Sequence, residues 1–235
     1  MPDISQFSSN VNVGKAPALI SPLWLAAFVG FSLLYIFLPG LIPSDSHWLF
    51  KIIPIALLLQ LALTSTGGKV RLLLGMGLVL SAIGDVLLAL DGLFVEGLAA
   101  FLLAQVTYTV LFLKQFRWQS SRLPWAALIV VYALVCTLFI VPEAGDMRVP
   151  VTAYMIAISL MAIAAGFRRD QQLLWVVMGA LIFMASDTLI AVSHFVTPFE
   201  YSGIAVMATY YLAQLLICVG IVRHSVRYSK HADAQ

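Results

Sequence analysis

The sequence predicts an all-α integral membrane protein with eight transmembrane helices. Of its 235 residues, 62% are hydrophobic and 10% are charged, whereas a soluble domain carries about 25% charged residues. The apolar residues form long stretches joined by short connections, which leaves no segment for a separate soluble domain. The surface must therefore be apolar as well as the interior. No basic run interleaved with aromatic residues occurs, so nucleic acid is not an expected partner.

The first four predicted helices are separated by prolines and glycines, which interrupt apolar stretches. A spanning helix needs about 20 mostly apolar residues. Pro39 follows the first stretch, Gly67 separates the second from the third, and Gly92 separates the third from the fourth. The four stretches are 19–38, 47–64, 70–90 and 96–116.

The last four predicted helices are marked in the same way. Pro124 opens the fifth stretch, Gly145 separates the fifth from the sixth, and Pro198 separates the seventh from the eighth. These stretches are 124–141, 149–167, 172–193 and 201–222. We expect one transmembrane domain over 18–224, flanked by cytoplasmic tails at 1–17 and 225–235. The polar N-terminal residues lack the pattern of a cleaved signal peptide, so the first helix is expected to remain as an anchor.

The basic residues predict the orientation of the chain. With eight spans, both tails and the even-numbered connections lie on one side of the membrane. That side carries eleven lysines and arginines: Lys15, Lys69, Arg71, Lys114, Arg117, Arg122, Arg168, Arg169, Arg223, Arg227 and Lys230. The other side carries two, Lys51 and Arg148. Because cytoplasmic connections are enriched in Lys and Arg, both termini are expected in the cytoplasm, and the expected location is a bacterial inner membrane.

The two halves of the sequence resemble each other weakly. Residues 78–88 can be aligned with residues 180–190, which brings Asp85 onto Asp187, and the helices that follow begin with similar residues. Helices 1–4 and 5–8 could therefore be parallel repeats related by an axis along the membrane normal. Chance similarity between apolar helices is the alternative.

Asp85 and Asp187 are the two acidic residues that lie well inside predicted helices. An ionisable group at membrane depth costs roughly 2.5–3.5 kcal/mol on insertion scales, so it usually faces the bundle interior and serves a function. Each Asp lies about 15 residues from the cytoplasmic start of its helix, or roughly 22 Å at 1.5 Å per residue. We expect the two carboxyls to form a functional pair at one depth, nearer the non-cytoplasmic face. The alternative is that each one only hydrogen-bonds a neighbouring helix.

Polar side chains on other helices are candidate substrate-binding residues. Lys51 begins helix 2 on the side with few basic residues, so we expect an anionic partner for it, either Asp45 or a lipid phosphate. The other candidates are Gln105, Tyr108, Tyr154, Ser186, Tyr211 and Gln214. Each of them could equally be a buried residue whose polar group is satisfied by its neighbours.

No metal site or cofactor is expected. The sequence contains no HExxH motif, no CxxC pair and no cluster of histidines. Cys136 and Cys218 both fall inside apolar stretches, where we expect them to pack as inert side chains.

Several short motifs resemble the YhhN-type lysoplasmalogenase family. They are Lys51-x-x-Pro54 in helix 2, Gly84-Asp85-x-Leu87-Leu88 in helix 3, Phe94-x-x-Gly97-x-x-x-Phe101 in helix 4 and Phe183-x-x-Ser186-Asp187 in helix 7. The likeness covers nearly the whole chain, from about residue 22 to residue 222. Some family members carry a His on helix 4 near the position of Gln105, which leaves the role of this position open.

The resemblance implies hydrolysis of the vinyl ether bond of lysoplasmalogens, a class of lysophospholipid, to a fatty aldehyde and glycerophospho-ethanolamine or -choline. It also implies that Asp85 and Asp187 are the catalytic pair. This reaction needs an acid that protonates the double bond, a base that activates water, and negative charge beside an oxocarbenium ion. Two carboxyls could supply all three if one is protonated and the other ionised, and which takes which role stays open. Lys51 would bind the lipid phosphate, and the Tyr and Gln side chains would hold the glycerol.

A proton-coupled transporter of a small molecule or lipid is the main alternative function. Parallel repeats and carboxyls near the membrane midplane also occur in carriers. The lack of clearly broken helices at equivalent sites is a weak argument against it. A membrane scaffold in which both aspartates are incidental is a third possibility.

Overall fold

The structure is a computed structural model, which describes residues 20–43, 46–169 and 172–232. Within these ranges it contains eight α-helices and no strand. They are α1 (Pro22–Phe37), α2 (His47–Ser65), α3 (Gly68–Leu88), α4 (Phe94–Leu113), α5 (Leu123–Ile140), α6 (Arg148–Gly166), α7 (Leu173–Ala191) and α8 (Ser202–Ala232). The prediction of an all-α fold is confirmed, and the helix bounds follow the predicted stretches closely except that α8 continues to Ala232. The predicted tail at 1–17 lies outside the described residues.

Six segments of the described chain are long and apolar enough to cross a membrane. They are His47–Ser65, Gly68–Leu88, Phe94–Leu113, Ser120–Gly166, Leu173–Val196 and Ser202–Val226. The protein is therefore a multi-pass integral membrane protein. Ser120–Gly166 spans 47 residues because it contains both α5 and α6, and α1 is apolar but has only 16 residues.

The break between α5 and α6 depends on a glycine. Gly145 has φ 51° and ψ −125°, a backbone conformation that residues with a Cβ rarely adopt. It interrupts the helical path between Ile140 and Arg148, so that α5 and α6 become separate helices. They pack against each other, as expected of neighbouring helices joined by a short connection.

The helices of the two halves pack in equivalent combinations. The most extensive packing joins α3 to α4 in the first half and α7 to α8 in the second. Between the halves, α4 packs against α6, and α8 packs against α2. A two-fold relation between helices 1–4 and 5–8 would produce this pattern, which supports the predicted repeat.

Glycines allow the close approach within the α3–α4 and α7–α8 pairs. A Cβ on Gly84 would lie 2.5 Å from the Phe101 ring of α4. A Cβ on Gly179 would lie 2.7 Å from Cγ1 of Ile217 on α8. Small residues at helix interfaces let backbones approach in this way in membrane proteins. The two aspartates lie on α3 and α7, so these tight pairs also fix the position of each carboxyl.

The outer surface of the bundle is strongly apolar. On α5, for example, Leu138 and Phe139 are 74% and 72% exposed. A soluble protein rarely exposes so much contiguous apolar surface, whereas lipid acyl chains cover it in a membrane.

Candidate active site

Asp85 lies in the last turn of α3 with its side chain inside the bundle. It is only 2% exposed. Its Oδ1 lies 3.5 Å from Nζ of Lys51 on α2, and its Oδ2 accepts a hydrogen bond of 2.7 Å from the hydroxyl of Tyr210 on α8. Both carboxylate oxygens therefore have partners, and one partner carries a positive charge.

Asp187 lies in the last turn of α7, at the same end of the bundle. It is 8% exposed, and its Oδ2 accepts two hydrogen bonds. The Tyr154 hydroxyl on α6 donates one at 2.5 Å, and Nε2 of Gln105 on α4 donates the other at 2.9 Å. Asp187 thus has two neutral donors where Asp85 has an ammonium and a hydroxyl.

An aromatic cluster links the surroundings of the two carboxyls. The aromatic ring of Tyr210, which donates to Asp85, packs edge-on against Phe101 at 5.7 Å and Phe183 at 5.8 Å between ring centroids. Phe101 also lines the cavity that Asp187 faces. Neither aspartate points at lipid, and an aromatic cluster packs beside both of them.

A narrow cavity of about 30 Å³, here named the inner cavity, lies between α4, α6 and α7. Its wall is apolar except for the carboxyl of Asp187 and the hydroxyls of Tyr154 and Thr188. The lining includes Leu98, Phe101, Tyr154, Ile158, Met184 and Asp187. A carboxyl in such surroundings is poorly solvated, which disfavours its charged form relative to water.

A second and larger cavity of about 390 Å³, here named the outer chamber, adjoins the inner cavity. It lies at the start of α2 and α8 and the end of α7, and its lining includes Tyr35, Lys51, Ser193, His194, Ser202 and Met207. Three residues, Leu88, Phe94 and Ile190, line both spaces. The site therefore consists of a polar chamber with a cationic wall and an apolar cavity with an acidic wall.

Lys51 joins the outer chamber to Asp85. It is 8% exposed, and its ammonium lies 3.1 Å from the backbone oxygen of Asp85 in addition to the contact with the carboxylate. The sequence predicted an anionic partner, and the structure supplies Asp85, which was not among the two expected. Asp45 lies outside the described residues. The Tyr211 hydroxyl donates a hydrogen bond of 2.7 Å to the backbone oxygen of Lys51, which ties the start of α2 to α8.

Three of the predicted substrate-binding residues have buried polar groups bonded within the protein. The Tyr108 hydroxyl donates to Oε1 of Gln214 at 2.8 Å, and Nε2 of Gln214 donates to the Ser81 hydroxyl at 2.9 Å. The Ser186 hydroxyl donates to the backbone oxygen of Val206 at 3.0 Å. None of these side chains lines the inner cavity or the outer chamber.

The candidate site residues chosen from the sequence did not include Tyr210 or the residues that line both spaces. A signal for Tyr210 existed, because Tyr210 and Gln105 are separated along the chain by nearly the same interval as Asp187 and Asp85. His194 follows Asp187 by seven residues, which would put both on one face of a regular α-helix. The helix instead widens to a π-helical turn at Val192–Val196, and Phe195 lines the inner cavity while His194 lines the outer chamber.

Metal-binding groups do not cluster in the described part of the chain. No set of three or more His, Cys, Asp or Glu side chains there could hold a metal ion. Cys136 and Cys218 are both free thiols, and Cys218 is buried.

Comparison with known proteins gives the family. The model of the YhhN family matches residues 46–221. The chain belongs to the YhhN family. Both aspartates and Lys51 lie within the region that defines the YhhN family, as do the inner cavity and most of the outer chamber.

Several known proteins match this chain along most of their length. Human lysoplasmalogenase TMEM86B is 33% identical over 211 residues, which cover 86% of this chain and 88% of that protein. Bovine lysoplasmalogenase TMEM86A is 31% identical over 225 residues, covering 88% and 90%. A lysoplasmalogenase of Mycobacterium tuberculosis is 32% identical over 179 residues, covering 73% and 68%. No solved structure matches the chain significantly.

Proposed function

We propose that this protein is a lysoplasmalogenase, which hydrolyses the vinyl ether bond of lysoplasmalogens to a fatty aldehyde and glycerophospho-ethanolamine or -choline. Similarity to several relatives that carry this name supports the proposal. The structural observation behind it is the pair Asp85 and Asp187, two buried carboxyls at one end of the bundle in contrasting environments. Carboxyl pairs whose surroundings differ in this way carry out acid–base chemistry on oxocarbenium-like states in glycosidases.

Asp187 is the proposed general acid. It faces the apolar inner cavity, and its hydrogen-bond donors, Tyr154 and Gln105, are both neutral. A protonated carboxyl suits this environment because it carries no charge that needs solvation. Its proton goes to the vinyl carbon that is not bonded to oxygen, and the adjacent carbon becomes an oxocarbenium ion.

Asp85 is the proposed general base. Its ion pair with Lys51 favours the carboxylate form, which can take a proton from water as the water oxygen adds to the oxocarbenium carbon. The product is a hemiacetal. When it collapses, Asp187 takes the hemiacetal hydroxyl proton and Asp85 returns a proton to the glycerol oxygen, so both carboxyls regain their starting forms. These steps use only protein carboxyls and water.

The lysophospholipid is proposed to lie with its phosphate in the outer chamber and its alkenyl chain towards the inner cavity. An ammonium has three donors. Two of the donors of Lys51 face Asp85, one towards its carboxylate and one towards its backbone oxygen. The third donor can reach a phosphate. Tyr154 and Gln105 would position Asp187, and Tyr211 would position Lys51 through its backbone. Substrate contact by Tyr108, Gln214 and Ser186 stays a prediction, and their present bonds suit a role in holding α3, α4, α7 and α8 together.

All eight α-helices are proposed to cross the membrane, with both termini in the cytoplasm. The uneven distribution of Lys and Arg between the two sides supports this topology. The site would then lie near the non-cytoplasmic face of a bacterial inner membrane, within a domain over 18–224 flanked by tails at 1–17 and 225–235. Single cysteines introduced at Gln119 and Glu143 test the orientation: a membrane-impermeant maleimide added to intact cells should label only the second.

The decisive experiment measures aldehyde release by purified protein in detergent micelles. A lysoplasmalogen should yield aldehyde with the wild-type protein, and Asp85→Asn and Asp187→Asn should each abolish the release. Micelles support no transmembrane gradient, so turnover there would exclude a transporter as the sole function. A folded wild-type protein that releases no aldehyde would refute the proposal and favour the proton-coupled carrier.

A further inference from the structure

The junction between the outer chamber and the inner cavity contains a ring stack. Phe94, at the start of α4, lines both spaces. Its ring lies flat on the imidazole of His194, with centroids 3.8 Å apart and planes 3° from parallel. Offset and edge-on arrangements are the usual preference of aromatic pairs, so a close parallel stack at a junction is a distinctive feature.

A π-helical turn holds the second ring of this stack. Residues Val192–Val196 form the turn, which closes with a 2.9 Å hydrogen bond from the backbone N–H of Thr197 to the oxygen of Val192. The wider turn directs consecutive side chains to different spaces, His194 to the outer chamber and Phe195 to the inner cavity. Phe195 meets the Phe94 ring edge-on at 5.8 Å. Single π-helical turns of this kind occur frequently at functional sites.

The inner cavity is too small to accept a lipid chain while the stack is closed. Its volume of about 30 Å³ matches one or two water molecules. Beside Phe94, the residues Leu88 and Ile190 also line both spaces and so bound the rest of the opening between them. The two stacked rings have room to part, because His194 is exposed and Phe94 is only partly buried.

We infer that the stacked rings of Phe94 and His194 form a gate that sets the chain selectivity of the site, admitting one alkenyl chain from the outer chamber towards Asp187 and excluding lipids with two chains. This inference rests on the proposed function. A lysolipid brings one chain and a free hydroxyl to the junction, and parting two rings makes room for one chain. A lipid with a second acyl chain needs a wider opening, and Leu88 and Ile190 bound the opening beside the two rings.

Variants of both rings test the gate. Phe94→Ala, Phe94→Leu and His194→Ala each remove the stack, whereas His194→Phe keeps a flat ring in its place. We expect kcat/KM for a 1-alkenyl-2-acyl plasmalogen, relative to the matching lysoplasmalogen, to rise about tenfold in the first three, an effect typical of a changed apolar pocket. His194→Phe should keep the wild-type ratio. Phe139→Ala is the matched control, since Phe139 on α5 is 72% exposed and lines neither space.

A second measurement detects opening of the gate and does not depend on catalysis. Met155 lines the inner cavity and is 6% exposed, so Met155→Cys reports access to it. In a background of Cys136→Ser and Cys218→Ala, maleimide should label this cysteine faster when Phe94→Ala or His194→Ala is present, and at the parent rate with Phe139→Ala. Failure of the proposed function would abolish aldehyde release but leave this labelling difference. Equal labelling and equal substrate ratios in all variants would overturn the gate, as would a His194→Phe variant that behaves like His194→Ala.

Discussion

Gln105 on α4 and Tyr210 on α8 each donate a hydrogen bond to the aspartate of the other half of the protein. Gln105 bonds Asp187 at 2.9 Å, and Tyr210 bonds Asp85 at 2.7 Å. A residue from the neighbouring helix of the same half completes each site, Lys51 for Asp85 and Tyr154 for Asp187. The two halves thus hold their aspartates from equivalent helices but with different side chains. One site has a cation and the other only neutral donors, and this difference underlies the proposed assignment of base and acid.

Removing the Tyr210 hydroxyl tests the proposed base. We expect Tyr210→Phe to lower kcat about 10- to 100-fold, because a hydrogen bond to a charged group contributes roughly 1.5–3 kcal/mol. KM should change little, since Tyr210 bonds the carboxylate and lies outside the linings of both cavities. Steady-state aldehyde release measures both constants.

Tyr201→Phe is the control for this measurement, because Tyr201 is 67% exposed, precedes α8 and lines neither cavity. An unchanged kcat in Tyr210→Phe would argue that Asp85 does not take part in the rate-limiting chemistry.

The sequence predicted features that depend on nearby residues better than features that depend on residues far apart in the chain. The helices were predictable because long apolar stretches in a membrane must satisfy their backbone hydrogen bonds internally. Gly145 was also a readable signal for the break between α5 and α6. The buried environment of Asp85 and Asp187 followed from the cost of a charge at membrane depth.

The partners of the two carboxyls were not predictable in the same way. Lys51 and Asp85 are 34 residues apart and meet only because α2 packs against α3. The local sequence suggested Asp45 instead, because it is nearer along the chain. The narrow inner cavity could not be foreseen either, since it results from the packing of α4, α6 and α7 side chains. The spacing of Gln105 and Tyr210, similar to that of the two aspartates, indicated only that they occupy equivalent positions in the two halves.

The Tyr108–Gln214–Ser81 chain of hydrogen bonds predicts a stability effect. We expect Tyr108→Phe to lower the free energy of unfolding by about 1–3 kcal/mol, because it leaves Oε1 of Gln214 buried without its donor. Thermal unfolding in detergent measures the loss, and KM for the lysoplasmalogen should stay near the wild-type value. A raised KM with unchanged stability would instead support the prediction from sequence that Tyr108 binds substrate.

The Lys51–Asp85 ion pair predicts a partial rescue. Lys51→Met leaves a buried carboxylate without its counter-charge, which costs about 3–5 kcal/mol when one partner of a buried pair is removed. Adding Asp85→Asn removes that charge, so the double variant should unfold at a higher temperature than Lys51→Met alone. Both variants should be inactive.

The double-mutant cycle distinguishes a buried pair from an exposed one. An exposed pair contributes about 0–1 kcal/mol and would give nearly additive changes in Tm. Additive changes here would mean that bulk solvent screens the ion pair, contrary to the 2% exposure of Asp85.

The close approach of α7 and α8 at Gly179 predicts that a larger residue there lowers stability and displaces Asp187. A Cβ there would lie 2.7 Å from Cγ1 of Ile217, 2.9 Å from the backbone nitrogen of Ile217 and 3.0 Å from the backbone oxygen of Ala213. Because two of these atoms belong to the backbone, a side-chain rotation cannot relieve the overlap. We expect Gly179→Ala to destabilise the protein by about 1–3 kcal/mol, the usual cost of overpacking.

Gly30→Ala is the matched control for this prediction. A Cβ on Gly30 has no atom within 4 Å, so the same substitution on α1 should be neutral or stabilising, since Ala favours a helix over Gly by about 1 kcal/mol. The unfolding temperature should therefore fall in Gly179→Ala and stay unchanged or rise in Gly30→Ala. Aldehyde release should fall only in Gly179→Ala, because separating α7 from α8 moves Asp187 away from Tyr154 and Gln105. If both variants unfolded at the same temperature, the close contact between α7 and α8 would be wrong, and the position of Asp187 with it.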